Sequence, residues 1–188
     1  MKNNDYDQHQ FIVAFGGKKL SGKDHVIKLA LEILGKKEWQ HLSTSPVIIK
    51  EYASMSGLSM AEVKANKGVH RKGLQDIGDV LGTEVILARV FDKANRKKHI
   101  LFQSVRKCLE FEALKDLVDA FILVDCSLDE RTKRNGAPLL NEGHRTETEG
   151  YECLQDYRDS YLVWNEGKTD KELRERLTII FRDIGVPI

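Results

Sequence analysis

An apolar run, Phe11–Phe15 (FIVAF), leads straight into Gly16-Gly17-Lys18-Lys19-Leu20-Ser21-Gly22-Lys23-Asp24, and a stretch of helical periodicity follows at once. Within Asp24–Leu34, Val26, Ile27, Leu29, Ala30, Ile33 and Leu34 gather on one wide face, and Gly35 is placed to stop the helix. A strand that is apolar on both sides must be covered on both sides, so it belongs inside a sheet flanked by helices. The glycines of the intervening loop admit positive φ and close backbone approach. Consecutive N–H groups and the N-terminus of the next helix then form a centre suited to phosphate oxygens. A buried strand, a glycine-rich turn and a helix in this order point to a layered α/β fold with an anion site at the carboxyl edge of its sheet.

The side chains of the loop agree with that reading. Lys23 is placed to reach the outer phosphates of a bound triphosphate as a mobile point charge, with Lys19 over the loop. Gly17, Lys19, Ser21, Gly22, Lys23, Asp24 and His25 are the candidate nucleotide-binding residues, and ATP with Mg2+ is the expected ligand pair. Loops of this kind usually end Gly-Lys-Ser/Thr, the hydroxyl serving magnesium. Here Asp24 holds that position. A carboxylate also suits a hard cation, directly or through water, which makes Asp24 the candidate metal ligand. The competing reading is that Asp24 merely caps the helix.

Four further runs read as strands: Trp39–Ser43, Ile100–Val105, Ala120–Asp125 and Tyr161–Trp164. Helical stretches lie between them. Ser59-Met-Ala-Glu62 has the form of a capping box. Residues 68–94 read as two helices meeting near Gly82-Thr83, and 107–117 as the link between the third and fourth strands. A last helix over Asp170–Ile184 carries Leu173, Leu177, Ile180, Phe181 and Ile184 on one face. Such alternation implies right-handed parallel crossovers. The expected architecture is α/β, a three-layer αβα sandwich around a five-stranded parallel sheet, in one domain over 1–188. Asp129 to Tyr151 is the most polar stretch and the expected mobile element.

Lys and Arg total 30 against 29 for Asp and Glu, so a net charge of +1 gives no general pull toward nucleic acid polymers or membrane surfaces. Phosphate affinity must be local. No apolar run approaches the roughly 20 residues of a membrane span, and Met1 to Gln10 is polar. The expectation is a cytoplasmic protein, monomer or homodimer, whose partners are small-molecule nucleotides. The three cysteines, Cys108, Cys126 and Cys153, are far apart without metal-ligand spacing and read as reduced thiols.

The Ser21-Gly22-Lys23-Asp24 ending resembles the loop of phage-type deoxynucleoside monophosphate kinases and, more distantly, that of animal-type phosphomevalonate kinases. Both belong to the nucleoside monophosphate kinase branch of P-loop folds. Further segments fall in that family's order. Ser43-Thr44-Ser45-Pro46, with Lys50, is similar to the Pro-led helix that opens an acceptor-binding region, here about 44–95. Arg71-Lys72-Gly73-Leu74-Gln75 and Leu81-Gly82-Thr83-Glu84 resemble its Arg-x-x-Leu-Gln…Leu-Gly-Thr segment, whose arginine faces the acceptor phosphate. Ser104-Val105-Arg106, followed by Glu110, stands where the family has Asp-x-Arg…Glu. His144-Arg145-Thr146-Glu147 is similar to the motif that follows the lid, here about 127–150, and Asn165-Glu166-Gly167 to the Asn-x-Gly beside the donor base. The resemblance implies transfer of the ATP γ-phosphoryl group to a nucleoside or deoxynucleoside monophosphate. A kinase of a small non-nucleotide phosphate such as phosphomevalonate, and a nucleotide binder without turnover, are the alternatives.

Phosphoryl transfer calls for converging cations more than for an acid or a base. The candidates are Lys23 at the donor, Arg71 and Arg106 on the acceptor phosphate, and Arg131 and Arg134 from the lid. Each has a plain alternative: Arg71 sits with His70 and Lys72 on what could be a solvated helix face, and Arg131 and Arg134 lie in a run of surface charge. Tyr151, Tyr157, Tyr161 and Trp164 read as packing residues. Ser104 departs from the family aspartate and brings no charge, leaving Asp24 and Asp125 as the carboxylates that could substitute. If the third strand stays extended, Ser104 and Arg106 share a face.

Overall fold

The computed structural model describes residues 9–137, 139 and 145–188, without the side chains at 104 and 145–147. The five apolar runs become β1 (Ile12–Gly16), β2 (Trp39–Ser43), β3 (His99–Val105), β4 (Ala120–Asp125) and β5 (Ser160–Trp164). They form one all-parallel sheet in the order β2-β3-β1-β4-β5. The most apolar run, β1, takes the centre, where both faces and both edges are covered.

Alternation along the strands sorts the core into two layers. Val13, Phe15, Leu101, Ile122, Val124 and Val163 pack on one face, under α1 (Lys23–Leu34) and α9 (Asp170–Asp183). Ala14, Ile100, Phe102, Phe121 and Leu123 face the other way, against α5 (Thr83–Phe91), α6 (Cys108–Leu114) and α8 (Arg145–Asp156). Each fully buried Phe, Leu or Ile contributes about 1.5–3 kcal/mol relative to exposure. Three further helices, α2 (Ser45–Ser56), α3 (Met60–Ala65) and α4 (Arg71–Leu81), build an outlying layer with its own small core around Ile49, Ala53 and Val63. Gly82, at φ 76°, divides α4 from α5 where the sequence places the break. The Ser59 box forms: Ser59 N–H donates to Glu62 and Glu62 N–H donates to Ser59 Oγ. Among the described residues, no helix is long and apolar enough to cross a membrane.

The polar stretch from Asp129 to Tyr151 holds α7 (Leu128–Asn135) and the start of α8, with 138 and 140–144 outside the described residues. Ser127 Oγ caps α7 by accepting from Glu130 N–H, and Gly136 ends it in the left-handed region. These signals act locally and need no apolar stripe. One expectation is corrected, that β3 stays extended to Arg106. Phe15 pairs with Gln103 but Gly16 with Val105, so β3 carries one extra residue, Ser104, and does not stay regularly extended to Arg106. Strict alternation would send Val105 to the face of Leu101; instead it packs with Ile100 and Phe102.

Thr169 and Glu172 form a capping box at the start of α9, which the sequence reading did not mark. The N–H and hydroxyl of Thr169 and the ammonium of Lys168 hold the Glu172 carboxyl down at about 2, from an ordinary 4.5. A depressed carboxylate pKa adds stability above its unfolded value, and that stability is lost as pH falls through the folded value. Between pH 4.5 and about 2 the wild type should therefore lose more stability than Glu172→Gln, as read by urea unfolding at stepped pH.

Candidate functional site

The loop between β1 and α1 is shaped by backbone crowding. Gly17 has φ 134°, and a Cβ there would stand 2.1 Å from the Val124 carbonyl oxygen. Gly22, at φ 89°, is the N-cap of α1, and a Cβ on it would meet the Asn165 amide at 2.0 Å. No side chain caps α1, which removes the reading of Asp24 as a mere helix cap.

Donors pin the carbonyls of this loop. Lys23 Nζ donates to Gly17 O at 2.5 Å and Lys18 O at 2.6 Å. Asn165, at the end of β5, donates its amide to Ser21 O at 2.9 Å. Arg134 of α7 donates to Leu20 O at 3.0 Å and to Asn165 O at 2.6 Å, and is held by Glu130 at 2.9 Å. Among the described residues, Ser21 Oγ is buried with no hydrogen-bond partner. Glycines where a Cβ cannot fit, a lysine folded into the loop and an unsatisfied buried hydroxyl all fit a polyanion lying in this cradle.

A cavity of about 300 Å³ opens over the loop, lined by Lys19, Lys23, Asp24, Gln103 and Arg134 among others. A second, of about 320 Å³, lies between α2, α4, α5 and the turn after β3. Its floor is Ile48, Ile49, Leu74 and Ile86, and Gln75 and Thr83 are polar points in its wall. The two cavities share Lys19, Arg71 and Arg106. Of the residues singled out in the sequence, the structure brings together Gly17, Lys19, Gly22, Lys23, Asp24, Arg71, Arg106 and Arg134. Ser21 and Asn165 stand immediately behind them.

Others fall elsewhere. Arg131 is buried and lines neither cavity; its charge acts on Tyr151 and Cys126. His25 turns its ring to Asp170 at 2.8 Å, on the α9 side. Asp125 lines neither cavity. One of its oxygens accepts Cys126 N–H and the other accepts the Tyr151 hydroxyl at 2.7 Å. His144 lies outside the described residues, as do the side chains of Ser104 and of 145–147.

The turn that presents Arg106 is tightly held. Glu110 accepts N–H from Arg106 at 2.6 Å and from Lys107 at 3.2 Å, while burial raises its carboxyl above the usual range. Gly150 N–H donates to Arg106 O, and a Cβ on Gly150 would stand 2.5 Å from that backbone. Lys107 pairs with Asp79 of α4. Tyr151 packs against the core, as its sequence setting suggests. Its ring lies under Lys18 Nζ, 4.2 Å from the centroid, and burial with the Asp125 bond pushes its phenol up to about 12.

Cys108 and Cys153 form a disulfide, with Cα atoms 5.9 Å apart, which corrects the reading of these two as reduced thiols. Cys126 alone is free, and it is buried. Spacing in sequence could not show the pair, because it depends on α6 and α8 lying side by side.

No protein-family model matches this chain, and no curated protein is significantly similar to it in sequence. Solved structures do match. The Thermus thermophilus protein TT1252 superposes with a TM-score of 0.59 at 16% identity, over 94% of this chain and 98% of that one. Shikimate kinase from Acinetobacter baumannii, in complex with shikimate, superposes with a TM-score of 0.53 at 14% identity, over 96% and 97%. At this identity the likeness establishes the fold alone, helices on both faces of a five-stranded parallel sheet.

The Cys108–Cys153 bond spans 45 residues, for which loop-closure entropy gives a stabilisation of up to about 4 kcal/mol. A dithiol reductant should lower the urea midpoint of the wild type and leave that of Cys153→Ser unchanged. Equal midpoints for the wild type with and without reductant would contradict the bond.

Proposed function

We propose that this chain transfers the γ-phosphoryl group of ATP to the phosphate of a nucleoside or deoxynucleoside monophosphate. The observation that carries this reading is the meeting of a phosphate-type loop cavity and a half-apolar cavity at Lys19, Arg71 and Arg106. Two anionic groups placed end to end at that junction would share three cations.

When bound, ATP with Mg2+ supplies the transferable group and part of the neutralising charge. Among the described residues no three His, Cys, Asp or Glu side chains converge as a metal cluster, so Asp24 would hold magnesium together with phosphate oxygens. The loop backbone cradles the donor, and Lys23 exchanges its carbonyl contacts for phosphate ones. Arg71 and Arg106 clamp and orient the acceptor, for which planar guanidinium forks are suited. The acceptor oxygen is already anionic, so no general base is required. Ile48, Ile49, Leu74 and Ile86 exclude water and give a flat base an apolar bed, with Gln75 within its wall for hydrogen bonding. In this reading 1–188 is a single kinase domain, α2 to α5 are the acceptor region and α7 belongs to the lid. It works in the cytoplasm, where ATP is abundant.

One observation favours a second acceptor class. Lys67 and Lys107 also line the half-apolar cavity, which suits a smaller phosphate carrying another anionic group, such as phosphomevalonate.

A panel of ribo- and deoxynucleoside monophosphates and small phosphates, assayed with ATP and magnesium for ADP release, decides between them. Turnover with none of them, alongside tight ATP binding, would leave a nucleotide binder. Lys23→Ala should cut transfer by at least about a hundredfold. Near-normal turnover in that variant would rule out the loop as the donor site.

A further inference from the structure

Gln103 is the residue of β3 that reaches the loop's carboxylate: its Nε2 donates to Asp24 Oδ1 at 2.6 Å, across the cavity edge that both line. The contact follows from the strand's phase. Leu101 packs on the α1 side of the sheet, and Gln103, two residues on, stands on that same side, where the first turn of α1 presents Asp24. The extra residue at Ser104 then resets the alternation, so that Val105 returns to the opposite core. The bulge lets one short strand end serve two faces in succession: a polar contact to the loop, then an apolar anchor beneath the turn that carries Arg106.

From this geometry we propose that Gln103 is a positioning residue for Asp24, and that it sets the affinity of the nucleotide site for its divalent cation. The inference rests on the reading of the loop as an ATP·Mg2+ site. A carboxylate can only accept, so the amide nitrogen must face Asp24. One oxygen of Asp24 is thereby fixed, and the carboxylate plane is oriented with the other oxygen left to a cation or its water. The neutrality of the amide matters. A lysine or arginine at 103 would neutralise Asp24 and compete with the metal, whereas glutamine orients the carboxylate without cancelling its charge. Partners of this outer kind commonly change metal affinity by tenfold or more when removed.

Gln103→Met keeps the length and bulk of the side chain and removes the donor. Calorimetric titration of ADP, in the presence of stepped MgCl2 and again in EDTA, reads the cation's contribution separately from activity. The wild type should bind ADP more tightly with magnesium. Gln103→Met should raise the magnesium concentration for half-maximal tightening by about tenfold, while ADP affinity in EDTA changes less than twofold. In an Asp24→Asn background the same substitution should add less than twofold, because the residue acts through Asp24. An unchanged magnesium requirement in Gln103→Met overturns the inference, as does an equal loss of ADP affinity with and without the metal, or full additivity with Asp24→Asn. A wild type that binds no ADP under either condition instead defeats the nucleotide-site reading itself, and is told apart by the wild-type titration alone.

Discussion

The approach of the Gly17 backbone to the Val124 carbonyl leaves no room for a side chain, and the geometry of the whole site depends on it. That contact fixes the phosphate loop against the end of β4, its neighbour in the sheet. From there the loop is held by Lys23 at the start of α1 and by groups from distant parts of the chain, Asn165 from the end of β5 and Arg134 from α7. Each of them donates to a backbone carbonyl. A cradle held this way is preorganised for an anion before any ligand arrives, which is where most of the electrostatic advantage of such sites lies.

The second face of the sheet carries the proposed acceptor side and ties it to the same loop. Arg106 leaves β3 through a turn closed by Glu110, and its carbonyl is taken by Gly150 on α8. The same helix sends Tyr151 to Asp125 and beneath Lys18 of the loop, and it is joined to α6 by the Cys108–Cys153 bond. A shift of α8 would therefore be felt at both ends of the proposed transfer path, at Arg106 and at Lys18. Leu154 adds an apolar tie, since a Cβ on Gly16 would stand 2.0 Å from its Cδ1.

Much of this was legible in the sequence for simple physical reasons. Strands covered on both faces must be continuously apolar, so FIVAF and AFILVD mark themselves. A loop that binds phosphate through its backbone needs glycines at fixed places, and Gly17 and Gly22 hold positive φ where the pattern puts them. The break at Gly82 and the Ser59 box are local devices, read from a few adjacent residues. The features that stayed hidden share a cause as well. Helix α7 did not show because a short helix held by caps carries no apolar stripe, and the Tyr151–Asp125 bond did not because the two residues are remote in sequence.

By itself, then, the sequence determined the layered α/β architecture, the five strands, and a glycine-rich loop ending in Asp24 rather than a hydroxyl. These follow from periodicity and from residue types at short spacing, which are local in the chain. The tertiary structure decided which groups meet. It joined Cys108 to Cys153, buried Arg131 away from both cavities, set Arg134 onto the loop, and turned His25 toward Asp170. It also made Gln103 the partner of Asp24, because Gln103 shares the α1 side of the sheet with Leu101 before the bulge at Ser104 changes the phase of β3. Such pairings depend on strand register and on which helices lie side by side, and both are set by packing across long separations in sequence that no local pattern encodes.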